Sequence, residues 1–154
     1  MAPDALSINT TTEQDTAALA AAFAARLSVG DTLLLEGDIG AGKSAFARAL
    51  IQSRLGRAED VPSPTFTIVQ TYEAPDGDIW HCDLYRLTHP DEAFELGLTD
   101  AFDTAICLIE WPDRLGSDLP DAALTLQFAA HDTHHTITAH PNDKWRARIG
   151  DLFG

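Results

Sequence analysis

Basic side chains are scarce in this chain. Ten lysines and arginines stand against 24 aspartates and glutamates among 154 residues, a formal net charge of −14. A surface of that sign repels a polyanion, which argues against a large direct contact with nucleic acid backbone. The small basic clusters Arg54/Arg57 and Lys144/Arg146/Arg148 read as solvated surface. Cysteine is nearly absent: Cys82 and Cys107 are the only two, each inside an apolar run, which favours buried reduced thiols over a disulfide. The opening Met-Ala-Pro-Asp has neither a basic start nor an apolar core, so no secretion signal is expected. No apolar stretch approaches the roughly 20 residues of a membrane span, and a cytoplasmic protein without membrane contact is expected. Internal repeats, linkers and low-complexity segments are missing too. With 45% hydrophobic residues, the length predicts a single domain spanning 1–154 with a proper core.

What is present centres on Gly37-Asp38-Ile39-Gly40-Ala41-Gly42-Lys43-Ser44, which fits G-x-x-x-x-G-K-[ST]. Thr32-Leu-Leu-Leu35 ahead of it suits a buried strand. Ala45–Leu55 after it predicts a helix, with Phe46, Leu50 and either Ile51 or Leu55 on one face and Gly56 as the stop. Gly37, Gly40 and Gly42 let successive N–H groups point inward, where they and the positive end of the helix can hold phosphate oxygens. Lys43 supplies a full charge for the β- and γ-phosphates, and Ser44 a hydroxyl for Mg²⁺. The spacing predicts a nucleoside triphosphate site.

Thr11 with Gln14 three residues on reads as a capping box, opening a helix with Leu19, Phe23 and Leu27 on one stripe and Gly30 at its end. Pro62 and Pro64 make Val61–Phe66 a stiff, extended loop. Thr65–Tyr72 and Ile79–Tyr85 read as an antiparallel hairpin around the turn Pro75–Asp78. Asp83 is a lone carboxylate in an apolar strand, costly unless paired or bound to a cation. It is a candidate for the magnesium sphere, with Arg86 as its ion-pair partner or a phosphate ligand. Asp91–Leu96 predicts a short acidic helix ended by Gly97. Ala105–Glu110 predicts a buried strand terminating in a carboxylate, where P-loop proteins commonly carry a metal-side acid. Glu110 is therefore a candidate to ligate Mg²⁺, directly or through water, or to orient the attacking water. Trp111-Pro112 takes the chain out of the sheet. Ala122–Phe128 and Thr133–Ala139 alternate like two edge strands, with His131, His134 and His135 as exposed polar residues rather than a metal site. Lys144–Phe153 predicts a short closing helix.

The segments Gly37–Ser44, Ser63-Pro-Thr-Phe66, His81-Cys-Asp-Leu-Tyr-Arg86 and Ile109-Glu-Trp-Pro112 occur in an order and spacing that resemble the TsaE family. These are small bacterial ATPases of the tRNA threonylcarbamoyladenosine pathway, and the resemblance covers nearly the whole chain. It implies an α/β, P-loop NTPase-like three-layer fold with a mixed, partly antiparallel central sheet. It implies ATP and Mg²⁺ as cofactors, with slow hydrolysis that drives turnover in a complex with TsaD and TsaB. The modified base is adenosine 37 of tRNAs reading codons that begin with A, and tRNA would be met through the complex rather than directly. By motif position, Lys43, Asp83 and Glu110 are the implied catalytic residues. Ser44, Asp83 and Glu110 would surround the metal, and Thr11, Gly37 to Ser44 and Thr65 would line the nucleotide. Ser44 replaces a frequent threonine but keeps the hydroxyl, and Cys82 replaces a more often aromatic residue.

Two other functions fit the same loop. A small-molecule kinase usually carries a lid with several arginines, and this acidic chain shows no such cluster. A non-hydrolysing, nucleotide-gated adaptor needs nearly the same residues as a slow ATPase, and phosphate release separates the two.

Overall fold

The computed structural model describes residues 5–38, 40–56 and 69–153. The expected nucleotide contacts of Ile39 and Thr65, the Val61–Phe66 loop and the start of the first hairpin strand lie outside these residues. The chain opens with strand β1 (Leu6–Thr10), helix α1 (Glu13–Ala24), β2 (Thr32–Gly37) and α2 (Lys43–Leu55). The hairpin β3 (Val69–Ala74) and β4 (Gly77–Asp83) follows, then the short helices α3 (Asp91–Glu95) and α4 (Leu98–Thr104), and β5 (Ile106–Glu110). A 3-10 stretch over Pro112–Asp118, strands β6 (Leu124–Ala130) and β7 (His135–Ala139), α5 (Asp143–Ile149) and a 3-10 turn over Gly150–Phe153 complete it.

The seven strands form one mixed sheet in the order β1-β7-β6-β2-β5-β4-β3. β6, β2, β5 and β4 run parallel, while β1, β7 and β3 pair antiparallel at the flanks. Helices cover both faces, so the fold is the expected α/β sandwich. Alternation along β2 sends Leu33 and Leu35 into one core with Phe23, Phe46, Leu50 and Trp145 of α1, α2 and α5. It sends Leu34 into the other, with Cys82, Cys107, Leu98 and Leu115. Phe46 lies edge-on to both Phe23 and Phe128, with ring centroids 5.6 and 5.5 Å apart, tying α2 to α1 and to β6. Both cysteines are free and buried, and burial pushes the Cys107 thiol up to about 12. No helix among the described residues is long and apolar enough to cross a membrane.

Several sequence expectations need correction. β1 has no counterpart in the sequence reading, and it takes the sheet edge from β7. The pair β6–β7 is therefore interior, with β7 between β1 and β6 and β6 beside β2. The first helix is capped by Thr12, not Thr11: Asp15 N–H donates to Thr12 Oγ1 at 3.1 Å, and the box closes with Asp15 rather than Gln14. That helix ends at Ala24, and Gly30 (φ 96°) serves the turn into β2 instead. β4 stops at Asp83, which leaves Tyr85 in the following loop. Gly97 (φ 94°) both ends the first acidic turn and opens α4, an element the sequence reading lacks. The basic clusters are partly structural. Arg54 donates to the Ala24 and Leu27 carbonyls, 2.8 Å each, at the end of α1. Arg148 pairs with Asp31 at 2.6 Å and locks the closing helix down.

Candidate functional site

β2 sits between β5 and β6, and the loop leaving its C-terminal end lies where connections diverge to opposite sides of the sheet. Ligands of open α/β sheets bind at such a crevice. Gly37 and Gly42 bound the loop with φ of 142° and 103°, and Gly42 stands at the N-cap of α2 without a side chain in the way. Gly40 has φ of 85°. Asp38 accepts a hydrogen bond from the Ala41 N–H at 3.1 Å through its carbonyl, closing a turn within the loop. The strand, loop and helix expected from the sequence are all there, and α2 begins at Lys43 itself.

Lys43 is buried. Its ammonium donates to the Gly37 carbonyl at 2.5 Å and lies 3.7 Å from the centroid of the Trp111 ring. Burial lowers its pKa, and the carboxylates of Glu110, Asp83, Asp38 and Asp113 work against that shift. Trp111 is the one non-glycine described residue with positive φ, at 60°. That conformation turns the chain out of the sheet immediately after Glu110 and lays the indole over the lysine. The Tyr85 ring packs against the indole at a tilt of 56°, with centroids 5.0 Å apart, and the Arg114 guanidinium lies 5.8 Å from the tyrosine ring.

Glu110 is the last residue of β5 and pairs in register with Leu35 of β2 and Asp83 of β4. It is not a solvent-facing strand end: only 2% of it is exposed. Ser44 Oγ donates to its carboxylate, 3.1 Å from Oε1 and 3.2 Å from Oε2. Two residues 66 positions apart thus present three oxygens to one point beside the P-loop lysine. The row of side chains that β4 turns toward α2 runs Ile79, His81, Asp83, and that of β5 runs Ile106, Leu108, Glu110. Both rows change from apolar to polar at the loop end, which marks where the core stops and the site begins. Asp83 is half-buried, and burial raises its pKa above the usual carboxylate value, opposed by the Tyr85 N–H that donates to Oδ1 at 3.1 Å. Arg86 is exposed, and among the described residues Asp83 accepts from this backbone amide rather than from the guanidinium.

Among the described residues no three His, Cys, Asp or Glu side chains converge as a self-sufficient metal cage. The oxygens of Ser44 and Glu110, with Asp83 nearby, suit a hard cation that completes its shell with phosphate and water, as Mg²⁺ does.

At the other side of the loop, β7 places His135 against Gly42: a β-carbon on that glycine would meet His135 Nδ1 at 3.1 Å. His135 pairs in register with Thr10, the residue before Thr11, so β1 brings the start of α1 to the loop as well. Thr11 Oγ1 donates to Asp15 at 2.9 Å. The sequence reading of His131, His134 and His135 as exposed holds for His131 alone; it stacks on His134 at 4.7 Å, and the other two are half-buried. His135 reaches the P-loop only through strand order and carries no local sequence signal, whereas Trp111 lies in the Ile109–Pro112 motif and only its place over Lys43 comes from the fold.

The family model described as "Threonylcarbamoyl adenosine biosynthesis protein TsaE" matches residues 10–138. A Rickettsia bellii protein named tRNA threonylcarbamoyladenosine biosynthesis protein TsaE is 44% identical over 108 residues, 70% of this chain and 75% of its own length. The protein of that name from Rickettsia conorii is 38% identical over 92% of this chain and 83% of its own. The one from Bacillus subtilis is 38% identical over 86% and 84%. A crystal structure of Bacillus subtilis YdiB superposes with a TM-score of 0.80 at 30% identity, covering 99% of this chain and 96% of that one.

Proposed function

This chain belongs to the TsaE family, and from that premise we propose that it binds and slowly hydrolyses ATP with Mg²⁺ to drive turnover of a tRNA threonylcarbamoyladenosine-forming complex. The observation that carries this reading is the hydrogen bond of 3.1 Å between Ser44 Oγ and Glu110, beside Lys43. A chance glycine-rich turn would have no reason to bring a loop hydroxyl and a distant strand-end acid together.

In this reading the loop amides of Gly40 to Ser44 and the α2 N-terminus hold the phosphates, with Thr11 and His135 near the rest of the nucleotide. Lys43 leaves the Gly37 carbonyl and the Trp111 face to meet the β- and γ-phosphates, exchanging neutral partners for full negative charge. Bound Mg²⁺ would neutralise charge on the transferring phosphoryl. Ser44, Asp83 and Glu110 would hold that ion, and Glu110 would fix the position of the attacking water. Ile39 and Thr65 are assigned to the nucleotide by motif position. The partners are TsaD and TsaB, the compartment is the cytoplasm, and tRNA is met through the complex.

The test is phosphate release from ATP by the protein alone and then with TsaB, TsaD and tRNA. Lys43→Ala is expected to weaken nucleotide binding and lower hydrolysis by about 100-fold or more. Glu110→Ala is expected to remove the stimulated component. Normal turnover by the Lys43 variant inside the complex would overturn the assignment. Binding without hydrolysis in every mixture would point instead to a nucleotide-gated adaptor, and a labelled small-molecule product to a kinase.

A further inference from the structure

His81 is completely buried in β4, and among the described residues its ring makes one hydrogen bond, from Nε2 to Glu110 Oε2 at 2.6 Å. Its other ring nitrogen, Nδ1, has no hydrogen-bond partner among the described residues. A carboxylate only accepts, so Nε2 carries the proton and donates. An imidazole placed for packing alone would be an expensive choice, because burying a polar ring with one nitrogen unmatched costs free energy that an aliphatic side chain avoids. What the ring gains for that cost, among the described residues, is one hydrogen bond, to the acid that also touches the P-loop hydroxyl.

The strand register explains how the contact arises. His81 lies opposite Leu108 on the parallel neighbour β5, and Glu110 is two residues further on, on the same face. The imidazole therefore reaches along the sheet to Oε2. Ser44 Oγ lies 3.1 Å from Oε1 and 3.2 Å from Oε2, so it does not distinguish the two oxygens, whereas His81 bonds to Oε2 alone. With Oε2 tied, the carboxylate cannot swing freely about its terminal torsions.

We propose that His81 is a positioning residue that ties Oε2 of Glu110, leaving Oε1 and the Ser44 hydroxyl as the oxygen pair offered to the divalent cation. This rests on the nucleotide-and-magnesium reading above. Groups that orient metal-side ligands typically change metal affinity by about 10- to 100-fold when removed.

The experiment is calorimetric titration of the full-length chain with a non-hydrolysable ATP analogue, with and without Mg²⁺, alongside thermal melts. The variants are His81→Leu, His81→Asn and His81→Gln. The glutamine amide reaches the Nε2 position and the asparagine amide only the Nδ1 position, so the two differ in reach and not in chemistry. In His81→Leu and His81→Asn the Mg²⁺-dependent gain in affinity is expected to fall by about 10- to 100-fold, with metal-free nucleotide affinity unchanged. His81→Gln is expected to restore the gain. A merely structural histidine would lower the melting temperature and both affinities together. Full Mg²⁺ enhancement in folded His81→Leu or His81→Asn, or its loss in folded His81→Gln, overturns the proposal. Absence of any Mg²⁺ enhancement in the unsubstituted protein removes the magnesium reading itself, and the inference with it.

Discussion

A β-carbon on Gly37 would stand 2.3 Å from the Phe128 carbonyl oxygen, the backbone of its register partner on β6. That oxygen belongs to the sheet and has nowhere to move, and the φ of 142° is unfavourable to any side chain. Gly40 also has positive φ, 85°, but among the described residues nothing lies within 4 Å of its missing β-carbon. The two glycines share one motif and differ in reason: Gly37 serves the close approach of two strands, Gly40 only the path of the loop. Gly37→Ala is expected to cost about 3 kcal/mol and Gly40→Ala about 1 kcal/mol, read from urea denaturation of the nucleotide-free protein. Equal costs would contradict the distinction. The motif fixes glycine at Gly37 and leaves Gly40 at a variable position. The Phe128 contact, like the hydrogen bonds of Glu110 to Ser44 and His81, joins residues too far apart in sequence for any local pattern to signal.

Elements were legible where one turn or one strand carries its own pattern. α2 announced itself by its apolar face and by Gly56, which caps it with φ of 70°; β5 did so by an unbroken apolar run, as a strand buried on both faces must. β1, Leu6–Thr10, was invisible because its alternation is short and its partner β7 lies far along the chain. The start of α1 shifted by one residue because Thr11 and Thr12 are both plausible caps, and Asp15 decides between them by accepting from the N–H groups of both and from the Thr11 hydroxyl. Those hydrogen bonds, the Thr11 amide first, hold the exposed Asp15 carboxyl below its ordinary value of 3.8. A depressed folded pKa means that this contribution is complete above the unfolded value and is lost as pH falls through the folded one. Stability of the parent protein is therefore expected to drop more steeply below about pH 4 than that of Asp15→Asn, followed by circular dichroism melts. Parallel pH profiles would show that the cap hydrogen bonds contribute nothing to stability.

For the molecule as a whole, charge is the property with the most direct consequence. A net charge of −14 on 154 residues leaves little attraction for a tRNA backbone, and the arginines that anchor helix ends, Arg54 and Arg148, are already engaged. The isolated protein is expected to bind tRNA no more tightly than about 10⁻⁴ M at physiological salt, measured by fluorescence anisotropy at two salt concentrations. Tight binding that weakens steeply with salt would contradict the view that partners carry the nucleic acid contact.

The sequence by itself determined the strand–loop–helix unit, the buried strand ending in Glu110, the α/β class and the family resemblance. All of these depend on residues within a turn or two of one another, or on motifs read in order along the chain. The tertiary structure decided which strands are edges and brought His135 to Gly42. It laid Trp111 over Lys43 and joined Ser44, Glu110 and His81 into one cluster. Each of these needs the order and register of strands in the sheet, and register is set by the packing of both faces at once, which no single stretch of chain encodes.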